Sequence, residues 1–152
     1  MRALIQRVNH ASVSVEGEIK SQIKQGLLIF LGVSNSDTEK EAELLWRKIS
    51  KLRIFDDENG KTNLSMHEVG GEVLIVSQFT LMGNCRKGNR PSFIDAGSPA
   101  EANQLYEYFV EIAKRDEFPV KTGCFQTYMH IDLQNDGPFT LWLDTNELTA
   151  KK

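Results

Sequence analysis

The sequence predicts a mixed α+β variant of the α/β class: one three-layer β/β/α domain, with mixed sheets around a barrel-like core and two main helices. Three observations lead there. The chain holds several strand-like segments and only two helix-like ones. The helices fall between strands rather than after each strand, which excludes a doubly wound fold. Two helices cover one face of a sheet, so the other face needs a second sheet. A chain of 152 residues suffices for one domain with a real core. No linker, repeat or low-complexity tract divides it, so residues 1–152 are read as a single domain.

The elements follow in order. Leu4 to Val8 reads as a first strand. Ala11 to Glu16 alternates small or apolar with polar residues, and Glu16-Gly17 suits a turn into a strand at Ile19 to Ile23. Leu27 to Val33 is an unbroken apolar run, which predicts a central strand. Thr38, with Glu41 three residues on, forms a capping box for the first helix. Ala42, Leu45, Trp46, Ile49 and Leu52 then share one face. Arg53-Ile54-Phe55 leads into a turn at Asp56 to Gly60, and Glu72 to Val76 is a buried strand. Ser98 caps the second helix, with Pro99 in its first position and Glu101 in its third. Its buried stripe is Ala102, Leu105, Tyr106, Phe109, Ile112 and Ala113. The chain closes as strand, turn, strand: Met129 to Leu133, Asn135 to Pro138, Phe139 to Leu143.

Bulk properties narrow the function. A net charge of −3 argues against wholesale non-specific nucleic-acid binding but permits a local basic patch. Cys85 and Cys124 lack paired-cysteine spacing, so free thiols in a reducing compartment are expected. No apolar run approaches membrane-spanning length, and charge interrupts the first residues. The reading is a cytoplasmic protein. Phosphate-loop and dinucleotide fingerprints are absent. His10, His67 and His130 stand singly, without metal-ligand spacing, so no metal is expected. Asp56-Asp57-Glu58 precedes Asn59-Gly60 and reads as a solvated turn.

The chemistry concentrates at Ser77-Gln78-Phe79-Thr80-Leu81, where the buried strand ends in polar groups. A glycine-rich basic loop follows, carrying Arg86, Lys87 and Arg90 and no acid between Met82 and Pro91. Polar groups at a rigid strand end beside positive charge suit an anionic substrate. Thr80 is the candidate nucleophile, yet a threonine hydroxyl needs a base and the local motif offers none. Ser77 and Thr80 could equally satisfy backbone groups at the strand end. Asp136-Gly137-Pro138 reads first as a turn. Glycine there also permits close approach of another group, and proline permits a cis bond.

Three blocks together carry a resemblance. Ser77-Gln78-Phe79-Thr80-Leu81, then Arg86-Lys87-Gly88-x-Arg90-Pro91-Ser92-Phe93, then Asn135-Asp136-Gly137-Pro138-x-Thr140 resemble the signature blocks of the D-aminoacyl-tRNA deacylases. The opening Met1 to Val8 and Leu52-Arg53-Ile54-Phe55 are similar too, so the likeness covers nearly the whole chain. It implies a homodimeric, cofactor-free hydrolase that cleaves the ester between tRNA and a D-amino acid, or glycine mischarged on the alanine tRNA. It implies a cis Gly137-Pro138 bond reaching into the partner subunit's pocket, where its carbonyls hold the α-amino group. Ser77, Gln78, Phe79 and Thr80 would be the catalytic pocket, with Met129 and Arg7 as pocket or supporting positions. Arg86, Lys87 and Arg90 would meet tRNA phosphates. It also implies water attack assisted by the 2′-hydroxyl of the terminal ribose. Two rivals remain: an esterase with Thr80 as nucleophile, and a non-catalytic RNA-binding dimer. The chain departs from the family's pattern at Gln126-Thr127, where relatives carry small residues, and at Met82 to Cys85.

Overall fold

The computed structural model describes residues 1–151. In chain order the elements are β1 (Arg2–Val15), β2 (Glu18–Ile23), β3 (Gly26–Gly32), α1 (Glu39–Ser50), β4 (Arg53–Asp56), β5 (Thr62–Ser65), β6 (Glu72–Ser77), a 3-10 turn (Phe79–Met82), α2 (Pro99–Arg115), β7 (Val120–Thr122), β8 (His130–Asp144) and α3 (Thr145–Thr149). The fold is mixed α+β, as expected. Six strands form one sheet in the order β2-β1-β3-β6-β7, with β8 along the other edge of β1; β4 and β5 form a separate hairpin. β3-β6 and β6-β7 pair in parallel and the rest antiparallel. The sheet curls until its ends meet: Ser21 Oγ on β2 donates to the Thr122 carbonyl on β7 at 2.7 Å. The curl supplies the two sheet layers of the barrel-like core, and the helices supply the third.

Side-chain alternation explains the unbroken apolar runs. Leu27, Ile29, Leu31, Val73 and Ile75 pack toward the helices, while Leu28, Leu74 and Val76 turn inward against Val8, Ala11, Val13 and Ile23. A strand buried on both faces has no polar side to show in its sequence. On the helix side, Trp46 of α1 meets the edges of Phe109 and Phe118 at 5.7 and 5.4 Å, and its Nε1 donates to Asp116 at 2.7 Å. Thr38 caps α1 with its complete capping box, and Ser98 caps α2 with Pro99 in the first turn. No helix among the described residues is long and apolar enough to cross a membrane.

Two expectations need correction. The first two strands are one 14-residue strand, β1. Register shifts against β8 flank Val8, and the strand bends there, so one half pairs with β3 and the other with β2. The final strand-turn-strand is likewise one element. Thr140 pairs with Gln6 and Asn135 with Val8, so five residues of β8 step past two of β1. The chain therefore does not reverse at Asp136-Gly137. The surplus residues loop outward as a bulge, with Gly137 and Pro138 exposed.

Candidate active site

β6 ends at Ser77, and the Gln78 N–H donates to the Leu31 carbonyl on β3 at 2.8 Å, extending the ladder by one step. The chain then tightens into the 3-10 turn. Gly32 makes room for it: a Cβ there would lie 2.9 Å from the Leu81 Cβ and 3.1 Å from the Gln78 carbonyl oxygen. Phe79 is left 55% exposed, and Thr80 is exposed beside it. The Gln78 side-chain amide donates to the Thr80 hydroxyl.

Ser77, Gln78 and Phe79 open onto a cleft of about 560 Å³, while Thr80 lies outside its lining. Ser77, Gln78 and Phe79 form one wall; Phe93, Gly97 and Pro99 form another; Gln126, Tyr128 and Met129 close the third. Phe79 and Phe93 pack edge-on at 5.1 Å, so the mouth has an aromatic rim. Met129 lines the cleft, and its sulfur accepts from the Cys124 N–H at 3.3 Å. Gly123 allows this, since a Cβ there would lie 3.0 Å from the Met129 sulfur. Behind the cleft, the buried Tyr106 hydroxyl donates to the Ile75 carbonyl at 2.9 Å. Burial pushes that phenol up to about 12, with Cys124 as a lesser cause, so it stays a neutral donor. Sequence reasoning missed Phe93, Pro99 and Tyr128 as cleft residues. Only Phe93 carried a signal, as the end of the basic-loop motif.

The basic loop is held at its neck. Asn84 and Ser92 exchange both backbone hydrogen bonds, at 2.8 and 2.9 Å, and the Asn84 side chain accepts from the Arg86 N–H at 3.0 Å. Arg86, Lys87 and Arg90 are all exposed, with no ion pair among the described residues. A second cleft, of about 660 Å³, lies along α2. Glu39, Glu107 and Glu111 line it, and these carboxylates would repel a phosphate-bearing ligand.

Gly137, Pro138 and Arg7 form a separate cluster, absent from the cleft's lining. The Gly137-Pro138 peptide bond is cis. Arg7 lies behind it, 6% exposed. Its Nε donates to the Asp136 carbonyl at 3.0 Å and its Nη1 to the Ile54 carbonyl at 2.7 Å. Its guanidinium stacks over Phe139 at 4.9 Å. Asn135 braces the other side, its Oδ1 accepting from the Phe139 N–H at 2.7 Å. Within one chain, the cleft and the bulge are thus two constructions.

The sequence pattern of the family described as D-Tyr-tRNA(Tyr) deacylase matches residues 4–144. The chain belongs to that family. The D-aminoacyl-tRNA deacylase of Thermosipho melanesiensis is 56% identical over 149 residues, covering 97% of this chain and 99% of that one. The D-aminoacyl-tRNA deacylase of Dictyoglomus turgidum is 55% identical over 148 residues, covering 97% and 95%. A solved structure described as c-Myc DNA Unwinding Element Binding Protein superposes with a TM-score of 0.90 at 43% identity, covering 95% of this chain and 98% of that one. A probable eukaryotic D-amino acid tRNA deacylase shares the fold, with a TM-score of 0.76 at 17% identity over 93% and 97%. Membership in the D-Tyr-tRNA(Tyr) deacylase family makes the chain a hydrolase of the aminoacyl-tRNA ester bond.

Proposed function

We propose that this chain hydrolyses D-aminoacyl-tRNA in a site shared by two copies of itself. The cleft of one copy would receive the Gly137-Pro138 bulge of the other. One observation carries the reading. Trp142, Leu4, Phe30 and Val76 pair in register across β8, β1, β3 and β6, so they share one face. Trp142 is 44% exposed, Leu4 and Phe30 are half-buried, and Val76 already lines the cleft. An apolar face therefore runs from the bulge-bearing strand straight to the cleft. A second copy laid on that face by two-fold symmetry would cover it and bring its own β8 to the cleft.

The chemistry follows from what all D-aminoacyl esters share. A pocket that accepts any side chain must read the amino group, Cα and the ester. Fixed carbonyls of Gly137 and Pro138 would hold the ammonium, and crowding on one side of Cα would reject L-substrates. Glycine has no side chain to clash, so glycyl-tRNA would also be cleaved. Thr80 has the Gln78 amide as its neighbour, and an amide is no base. The attacking group would be water, assisted by the ribose 2′-hydroxyl. The Phe79 and Thr80 N–H groups, in the first turn of the 3-10 segment, would face the developing oxyanion. Arg86, Lys87 and Arg90 would meet tRNA phosphates. With three such contacts, log K should fall with log salt by about 0.7–0.9 per contact.

The deciding experiment incubates the purified protein with D-Tyr-tRNA and L-Tyr-tRNA under single-turnover conditions. Release of D-tyrosine alone is expected. Equal release of both, or of neither, ends the proposal. The second outcome would favour a nucleic-acid-binding role, which the name of the 43% identical relative keeps in view.

A further inference from the structure

We infer a second RNA-contact surface, far along the chain from the 86–90 loop, in a groove where the end of α1 meets β4 and α3. It rests on the shared-site reading above, and it commits to one ligand: the backbone phosphates of the tRNA body beyond the 3′ end. The groove has a volume of about 470 Å³. Arg47, Lys48, Lys51 and Arg53 line it, over a floor of Leu44, Leu52 and Leu148. No carboxylate lines it, in a chain whose net charge is −3. All four cations are exposed, and none forms an ion pair among the described residues. Cations in the last turn of α1 offset the helix dipole, which accounts for Arg47 and Lys48. Lys51 is the C-cap of α1 and feels the same dipole, but Arg53 lies beyond the helix in β4, where the dipole makes no such demand. Arg53 is also held in place: its Nε donates to the Asn63 carbonyl at 2.8 Å and its Nη2 to the Asn63 side chain. An oriented guanidinium with free faces suits a phosphate.

Position gives the groove its meaning. Ile54, next after Arg53, gives its carbonyl to Arg7, and Arg7 holds the Asp136 carbonyl at the base of the bulge. The β4 strand and the bulge are thus fastened to one buried guanidinium. In the shared-site reading, the groove would ride on the copy that gives the bulge and would lie near the mouth of the partner's cleft. A tRNA whose 3′ end fills the cleft must lead its stem out past that mouth. Duplex RNA is met there by shape and phosphate rather than by base edges.

The test is the double variant Lys48→Gln/Lys51→Gln, with Lys48→Arg/Lys51→Arg as the charge-keeping control. Two substrates are compared: D-Tyr-tRNA, and the D-tyrosyl ester of adenosine, which lacks the tRNA body. The glutamine pair should lower kcat/KM at least about fivefold on D-Tyr-tRNA and leave the adenosine ester within twofold. The arginine pair should behave as wild type. The salt dependence should flatten by about 1.4–1.8 in log–log slope for two lost contacts. Equal loss on both substrates, or no loss on either, overturns the groove. Affinity for uncharged tRNA is read alongside. Unchanged affinity in the glutamine pair rejects the groove whatever the fate of the deacylase reading. Weakened affinity in a protein that releases no amino acid sustains the groove while the deacylase reading falls.

Discussion

Arg7 donates to the carbonyl of Asp136 at 3.0 Å from a side chain that is almost fully buried. One guanidinium thereby joins β1, β4 and the base of the β8 bulge. Asp56 and Asp136 carboxylates lie 3.5 and 3.3 Å away and balance its charge. A lysine could not replace it, since a single ammonium cannot span two carbonyls and stack on Phe139 at once. The bulge is exposed, yet it is mounted on a rigid support, as a group inserted into a neighbour's cleft would need to be.

Gly137 is the tightest point of that mount. Its φ is +139°, and a Cβ there would lie 3.0 Å from the Phe139 nitrogen and 3.3 Å from Arg7 Nη2. Gly137→Ala should cost about 1–3 kcal/mol of stability from backbone strain, leaving the fold intact. Displacement of the bulge by even an ångström should cut deacylation about 100-fold. Circular dichroism and single-turnover release check both halves. Wild-type release from a folded Gly137→Ala protein would remove the bulge from the site.

How much of this was legible in the sequence depended on range. The caps of α1 and α2 are local, and Thr38, Glu41, Ser98 and Pro99 announced them. The apolar runs of β3 and β6 announced a doubly covered centre. The bulge of β8 did not announce itself: Asn135-Asp136-Gly137-Pro138 has the composition of a reversing turn, and only pairing with β1 on both sides shows that the chain continues. β5, β7 and α3 span 4, 3 and 5 residues, too short for any periodicity to build up. Of the cleft, the β6 end was legible because polarity there breaks an apolar run. Tyr128 was not, because nothing local distinguishes it from a surface tyrosine. Arg7, flagged as a pocket or supporting position, stands behind the bulge.

Gln126 occupies a backbone position that favours glycine. It is the third residue of a turn closed by the Thr127 N–H on the Cys124 carbonyl, and its φ is +56°. Turns of this kind take glycine there because an L side chain meets the next carbonyl. Gln126→Gly should therefore raise stability by about 0.5–1 kcal/mol, net of the extra freedom glycine gives the unfolded chain. Thermal unfolding should shift upward by about 2 °C for a chain of this size. Gln126→Ala keeps the strain and should show no rise. Equal midpoints for the glycine and alanine variants would show the turn to be relaxed.

Tyr106 sets an alkaline limit on stability. Burial raises its phenol from 10.0 to about 12 in the folded protein, so the unfolded chain ionises first. Its contribution is complete below pH 10 and is lost as pH climbs toward 12. Tyr106→Phe should lower stability by about 1 kcal/mol at pH 7, through the lost bond to the Ile75 carbonyl. The gap between variant and wild type should close above pH 10. Urea unfolding at pH 7, 9 and 10.5 measures it. A gap that stays constant across that range would mean the phenol does not titrate with folding.

Thr80 separates the two hydrolytic mechanisms. As a nucleophile it would have to surrender its proton while attacking, and a base must lie within hydrogen-bond reach. Its side-chain partner is the Gln78 amide, which donates to it and cannot accept that proton. Removing a true nucleophile costs on the order of 10⁴-fold or more in turnover. If the RNA's own hydroxyl assists water instead, Thr80→Ala should retain single-turnover release within about fivefold, the scale of one lost neutral hydrogen bond. Quenched reactions examined by mass spectrometry should show no acylated protein for either wild type or variant. Collapse of release in a folded Thr80→Ala protein, together with an acyl adduct on the wild-type chain, would return the reaction to the protein's own hydroxyl.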